Sequence, residues 1–309
     1  MTRGEDEFVA WIAARARRDD AAVVIGPGDD MAMIRLGGET FLVACDLMAD
    51  GVHFDSAEQS PRQIGRKALA VNLSDCAAMA VRPRWAAVSV CLPRDWTVEQ
   101  ARELHEGIVS LATEYDVTLV GGDTNSWASG LVIDVTIVAA PWPNVRPVQR
   151  SGMGPGDAIV VTGSLGGSRA GRHLTFEPRV REARELAERF GASLHAMMDL
   201  SDGLSTDGAR MAKASGCGMD FDESALLSVA SEAARNQGGG KEAAVLCAVL
   251  NDGEDFELLA AIDGEAWERD RVAYCRRIGT AVAEPGLYLK SPDATRTPIE
   301  PGGWEHSIG

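Results

Sequence analysis

The chain has few cysteines, and none of them are paired in sequence: Cys45, Cys76, Cys91, Cys217, Cys247 and Cys275 are scattered without a C-x-x-C spacing. That excludes a zinc ribbon and a dithiol redox motif, and dispersed thiols in a chain of 309 residues read as reduced, buried side chains of a cytoplasmic protein. Blocks of positive charge are also missing. No run of Lys or Arg exceeds a pair and the net charge is −16, which argues against nucleic acid or an anionic membrane as the main partner. No apolar run reaches the ~18 residues of a membrane span, and Met1-Thr2-Arg3-Gly4-Glu5-Asp6 does not resemble a signal peptide. The common nucleotide and nucleophile motifs are absent too. Lys241 is followed by Glu242, so there is no P-loop; Gly152-x-Gly154-x-Gly156 precedes a strand instead of following one; and no G-x-S-x-G, H-E-x-x-H or kinase H-R-D set occurs.

What remains is an ordinary globular balance, 45% hydrophobic and 25% charged, in a length that suits two domains. Phe8, Ile12 and Ala16 lie at helical spacing within 5–17, and Val23 to Ile25 reads as a short strand broken by Gly26-Pro27-Gly28. Met31 to Leu36 and Thr40 to Cys45 read as a hairpin through Gly37-Gly38, with Asp46 ending its second strand. Ser60-Pro61 opens a helix over 63–79 that carries Asn72, Asp75 and Met79 on one face. Strand 86–92 is followed by the T-x-x-Q capping box Thr97 to Gln100 and a helix with Leu104, Ile108 and Leu111 inward. A short strand, 117–120, is expected to end in Gly121-Gly122-Asp123, and 131–139 is a further strand. Pro141, Pro143 and Pro147 place a domain boundary near 147, giving domains 1–147 and 148–309. In the second, strand 158–162 runs into the glycine-rich stretch Gly163 to Ser168, helices are expected over 180–190 and 205–215, and 256–262 is a strand. Asn236 to Gly240 reads as a flexible loop and Asn251-Asp252-Gly253 as a tight turn.

The chemistry lies in the acids. Asp29, Asp30, Asp46 and Asp123 each follow a short apolar strand, and Asp75 rides on the helix between them. Strand ends of α/β sheets converge on one edge, where ligands bind. Two like charges ~4 Å apart repel by about 4 kcal/mol at an effective dielectric of 20, so such a cluster calls for protonation or cations. Hard divalent cations with oxygen ligands are the usual answer, and magnesium in particular joins carboxylates to substrate phosphates. Each Asp taken singly is as readily a turn or capping residue. Gly163 to Ser168 offers backbone N–H groups to a phosphate, or is a plain turn. His53 is the histidine most worth testing, against the common reading of a satisfied loop residue.

Gly28-Asp29-Asp30, Asp46 to Phe54 (D-L-M-A-D-G-V-H-F), Lys67 to Met79 (K-A-L-A-V-N-L-S-D-C-A-A-M), Gly121 to Thr124, Arg150-Ser151-Gly152, Asp199 to Leu204 and Gly253 to Leu258 resemble the thiamine-monophosphate kinases in order and spacing, over nearly the whole chain. The resemblance implies the aminoimidazole-ribonucleotide-synthetase-like α/β (α+β) fold: an N-terminal mixed sheet with helices, which binds ATP and metal and forms a homodimer, followed by a C-terminal α/β domain. It implies direct in-line transfer of the ATP γ-phosphate to thiamine monophosphate, assisted by several Mg2+ ions and no catalytic side chain. Asp30, Asp46, Asp75, Asp123, Asp199 and Asp202 match the family's metal ligands. Gly122, Asp123, Arg150 and Ser201 match its ATP contacts, and His53, Glu254 and Trp304 match positions near the thiamine substrate. Trp304 is suited to stacking on a cationic heterocycle, or alternatively to anchoring the C-terminus in the core.

The chain departs from the family where Ala44 and Cys45 replace hydroxyl residues, where Asp252 replaces a glycine, and in a shorter stretch between Gly167 and His173. Two alternatives follow. One is another ATP-dependent enzyme of the same superfamily, although the N-terminal reactive Cys and Lys of a selenophosphate synthetase are missing. The other is a paralogue that binds nucleotide or thiamine phosphates without turnover.

Overall fold

Ser60 and Gln63 close a reciprocal capping box and Pro61 takes the first helical position, so the longest helix starts where the sequence predicts. Thr97 and Gln100 do the same for its neighbour. The computed structural model describes residues 4–16 and 20–306. Its first half contains α1 (Gly4–Arg15), β1 (Val23–Ile25), β2 (Ala32–Leu36), β3 (Glu39–Ala49), α2 (Pro61–Ala78), β4 (Val81–Pro93), α3 (Val98–Glu114), β5 (Thr118–Trp127) and β6 (Val132–Pro141). Its second half contains β7 (Ala158–Thr162), α4 (Val180–Phe190), β8 (Leu194–Asp199), α5 (Leu204–Ser215), β9 (Gly218–Asp222), α6 (Glu223–Val229), α7 (Glu232–Gly238), α8 (Glu242–Asn251), β10 (Leu258–Ile262), α9 (Gly264–Asp270), β11 (Cys275–Val282), β12 (Gly286–Lys290) and β13 (Arg296–Ile299). Arg17, expected in the first helix, lies outside the described residues.

Two mixed sheets result, ordered β1-β2-β3-β6-β4-β5 and β13-β12-β9-β11-β7-β10-β8. The only parallel pairs among the described strands are β4 with β5 and β9 with β12. Helix α2 is buried along most of its length, polar residues included, and it contacts β3, β6, α3, α4 and β8. One continuous core therefore runs from Leu42, Leu69 and Ile137 of the first half to Val160, Leu186 and Leu258 of the second. A second core under the outer face of the second sheet joins Phe221, Leu204 and Val249.

Two glycines set how closely α2 and α3 approach. A Cβ on Gly65 would lie 1.9 Å from the Leu104 carbonyl oxygen, and one on Gly107 would lie 2.1 Å from that of Arg62. No helix among the described residues is long and apolar enough to cross a membrane.

Several expectations change. Asp46 and Asp123 do not end their strands. β3 stays paired with β6 as far as Ala49 opposite Val132, and β5 follows β4 to Trp127 opposite Pro93. In β3 the inward row Leu42, Asp46, Met48 keeps the strand's alternation, so the acid takes a place where an apolar residue would otherwise sit. The loop expected at 236–240 is shorter, because α7 runs to Gly238 and ends on the left-handed Gly239. Asn251, expected in a tight turn, closes helix α8.

Candidate active site

Asp46 projects from the inner face of β3 toward α2, where it interacts with Asp75. Asp199 closes β8, is 5% exposed, and accepts a hydrogen bond of 2.6 Å from the Ser74 hydroxyl on the same helix. Asp30, at the exit of the β1 turn, accepts a hydrogen bond from the Arg150 guanidinium at 2.6 Å, while its other carboxylate oxygen is buried without a protein partner. One carboxylate oxygen from each of Asp30, Asp75 and Asp199 falls within 4.8 Å of the others. Helix α2 thus carries the central acid, and the loop after β1 in the first half and the end of β8 in the second each bring another to it.

Burial drives the electrostatics. The Asp46 carboxyl is pushed up to about 6, by desolvation first and then by Asp134, against the lowering effect of its interaction with Asp75. Asp75 stands well above the usual carboxylate range through burial, then through Asp46 and Asp199. Asp199 is raised by burial and by Asp30. Three hard oxygen donors in one place, one with an orphaned buried oxygen and two, Asp75 and Asp199, penalised by burial for carrying charge unneutralised, suit a divalent cation with oxygen ligands.

These acids line one end of a cavity of about 730 Å³, a volume suited to small-molecule ligands. Asp29 lines it too and accepts from the backbone N–H groups of Asp30 and Arg150, so it shapes the loop rather than joining the cluster. Asp202 and Ser201 sit on the turn before α5. Asp202 pairs with Arg210, its N–H donates to Asp207 at 2.9 Å, and burial pushes Asp207 up to about 7.

The other end holds His53, Glu254 and Trp304. His53 Nδ1 accepts from the Ala49 N–H at 3.1 Å, and its ring faces His306 with centroids 5.6 Å apart. Trp304 is 44% exposed, so it is no core anchor; its N–H donates to the Asp202 carbonyl at 2.9 Å, which holds the C-terminal segment against the α5 turn. The Arg169 guanidinium lies over the indole, 5.5 Å from its centroid.

The structure gathers every expected site residue into this cavity except Gly122 and Asp123. Those two are exposed on edge strand β5 and line a separate cleft of about 390 Å³ beside α3. Strand register puts Asp123 in one row with Ser89, Asp134 and Leu47, on the sheet face away from α2.

Gly163 to Ser168 is not an open phosphate cradle. The Gly166 N–H donates to Asp255 and the Gly167 N–H to Asp252, both at 2.8 Å. Asp252, the departure from the family pattern, therefore has a task of its own.

Sequence reasoning assigned no role to Lys67 or Arg169. Lys67 is fully buried, and the available signal was a cation opening directly onto the apolar run Ala68 to Val71 of α2.

Comparison with known proteins gives a consistent result. The family model for the AIR synthase related protein N-terminal domain matches residues 28–140, and that for its C-terminal domain matches 154–291. The chain is 38% identical to the thiamine-monophosphate kinase of Rhodopirellula baltica, over 98% of this chain and 97% of that one. It is 35% identical to the thiamine-monophosphate kinase of Bacillus subtilis, over 80% of each. The solved structure described as AaThiL complexed with AMPPCP and TMP superposes with a TM-score of 0.83 at 26% identity, covering 98% of this chain and 96% of that one.

Proposed function

Because this chain belongs to the thiamine-monophosphate kinase family, we propose that it transfers the γ-phosphoryl group of ATP to thiamine monophosphate, yielding thiamine diphosphate and ADP. The observation that carries this reading is the two-ended cavity. Asp30, Asp75, Asp199 and Arg150 stand at one end, and His53, Glu254 and Trp304 at the other. A triphosphate needs the first end, and a ring system linked to a phosphate suits the second. In the bond exchange, a phosphate oxygen of thiamine monophosphate bonds to Pγ as the bond from Pγ to the bridging oxygen breaks. That acceptor oxygen is already anionic at neutral pH, so no side chain has to remove a proton. Both reactants are negative, and the barrier lies in bringing them together in line.

Asp30, Asp46, Asp75, Asp199 and Asp202 are the residues that would hold Mg2+. When bound, the cations neutralise the phosphate oxygens of donor and acceptor. Arg150, with Asp30 fixing its guanidinium, directs positive charge to the nucleotide phosphates, and Ser201 lies beside Asp202 on the same wall. At the far end Trp304 offers a π-face to the cationic ring, and His53 and Glu254 offer polar edges.

Gly122 and Asp123 keep their assignment to nucleotide and metal on one condition, that a second copy brings them to the cavity. The outer face of the first sheet suits that contact, for it exposes Leu47 by 58%, and edge strand β5 exposes Val120 by 63% and Trp127 by 40%. The division into 1–147 and 148–309 is supported by the first sheet ending at Pro141 and the second beginning at Ala158. A cytoplasmic location accords with the unpaired thiols.

The test is direct: purified protein with ATP, Mg2+ and thiamine monophosphate, followed by chromatography for thiamine diphosphate. Formation of the product, abolished by a chelator, is expected. Absence of product at saturating substrates overturns the reading, and tight calorimetric binding without turnover would favour the non-catalytic paralogue instead.

A further inference from the structure

Lys67 is the most deeply buried cation of the chain's core helix, with no solvent exposure, yet it lies within reach of the cavity's acceptor end. Its ammonium donates to the His53 carbonyl oxygen and to Glu254 Oε1, each at 2.6 Å. His53 belongs to the loop after β3 and Glu254 to the loop before β10, so one ammonium on α2 ties together the two polar groups that face the acceptor from opposite halves of the chain.

Glu254 cannot hold this position by backbone preference alone. Its φ is +63°, in the left-handed region that side-chain-bearing residues seldom adopt, and its N–H donates to the Ser201 carbonyl at 2.6 Å. With Oε1 held by Lys67, Oε2 is buried without a hydrogen-bond partner, and Arg169 Nε stands 3.7 Å from it, beyond hydrogen-bond reach. A buried acceptor left open beside a cavity is costly unless a ligand completes it.

We propose that Lys67 is a positioning residue for the acceptor substrate. It does not touch the substrate; it fixes Glu254 so that Oε2 accepts from an N–H donor or faces a cationic ring of the acceptor, and it fixes the His53 loop opposite. The inference rests on the functional reading above and deepens it. Arg169 and His173 also stand near this pair, so Glu254 is flanked by bases at this end. Its orientation therefore decides whether an N–H donor or cationic group is accepted there at all. Burial lowers the Lys67 ammonium from its ordinary range, while Glu254 works to keep it charged.

The experiment is steady-state kinetics on Lys67→Met, Glu254→Gln and the double variant, with thermal melts as a folding control. Lys67→Met is expected to raise KM for thiamine monophosphate about 10- to 100-fold, with kcat and KM for ATP nearly unchanged. Because Lys67 acts chiefly through Glu254 and in smaller part through the His53 loop, the double variant is expected to fall well short of the sum of the two single losses. It also removes both charges of the buried pair, so it folds even where the single Lys67 variant leaves Glu254 uncompensated. Additive losses in the double variant, or equal rises in both KM values, overturn the positioning role. So does a folded Lys67→Met with a wild-type KM for thiamine monophosphate. A wild-type protein that makes no thiamine diphosphate overturns the functional reading and with it this inference, whereas those variant outcomes beside an active wild type overturn this inference alone.

Discussion

Asp46 on β3 and Asp75 on α2 form a buried carboxyl pair that without a cation favours holding a proton between them. Both groups stand above the ordinary carboxylate range, Asp46 at about 6 and Asp75 well above its usual value, with burial the leading cause for each. In the unfolded chain both ionise near pH 4. The folded state thus keeps protons that the unfolded chain has released, and the unfolding free energy falls with rising pH. The pair's stabilising contribution is full below about pH 4 and is lost as pH rises through about 6 and beyond. Metal-free protein is expected to lose thermal stability across that window, Asp75→Asn is expected to flatten the loss, and Mg2+ is expected to raise Tm most at the alkaline end. Calorimetric melts of both proteins, with and without Mg2+, check this; a steeper decline in Asp75→Asn would refute it.

Asp199 joins the same cluster from the other half of the chain, held by the Ser74 hydroxyl at 2.6 Å. Asp199→Asn keeps shape and hydrogen bonding but removes the charge. It is expected to lower kcat on the order of 10²- to 10³-fold with Tm unchanged or raised. Ser74→Ala only loosens the carboxylate and is expected to cost about tenfold or less. Rate measurements at saturating Mg2+ and ATP decide, and wild-type turnover in Asp199→Asn would remove the cluster from the mechanism.

Most of this site was legible in the sequence because its residues sit at places with local signals. Asp30 follows a glycine turn, Asp75 interrupts an apolar helix, and Asp199 and Asp202 flank a strand-to-helix turn. The Ser60-Pro61 pair and the capping box at Thr97 marked two helix starts to the residue. What local pattern missed was set by distant partners. β3 and β5 run past Asp46 and Asp123 because β6 and β4 continue beside them, and pairing across a sheet leaves no trace in a strand's own composition. The Gly167 N–H meets Asp252 from 85 positions away, and Lys67 meets Glu254 from 187. Strand β11 was overlooked for the same reason, since its partners β7 and β9 are far off in sequence.

The crossing of α2 and α3 gives a test of the scaffold separate from the chemistry. Gly65 and Gly107 each face a carbonyl of the opposite helix at a distance no Cβ tolerates. Gly65→Ala therefore forces the helices apart even though alanine is the better helix former. Destabilisation of about 1–3 kcal/mol or more is expected from urea unfolding, against a gain of under about 1 kcal/mol if the helix preference alone governed. An alanine variant as stable as wild type would show that the two helices are free to shift.

Asp123 poses the sharpest question, because within one chain it lies on edge strand β5, outside the cavity that holds Asp75. If a second copy supplies it, each active site draws Asp75 from one chain and Asp123 from the other. Asp75→Asn and Asp123→Asn are then each inactive alone. Unfolded together and refolded at equal amounts, they form mixed dimers in which one site carries both mutations and the other carries neither. Random pairing places half the molecules in mixed dimers with one intact site each, so about a quarter of wild-type activity is expected to return. If Asp123 instead serves the site of its own chain, every site in every mixture retains a mutation and nothing returns. Recovery near zero, with mixed dimers verified by mass, would end the proposal that a partner completes the site.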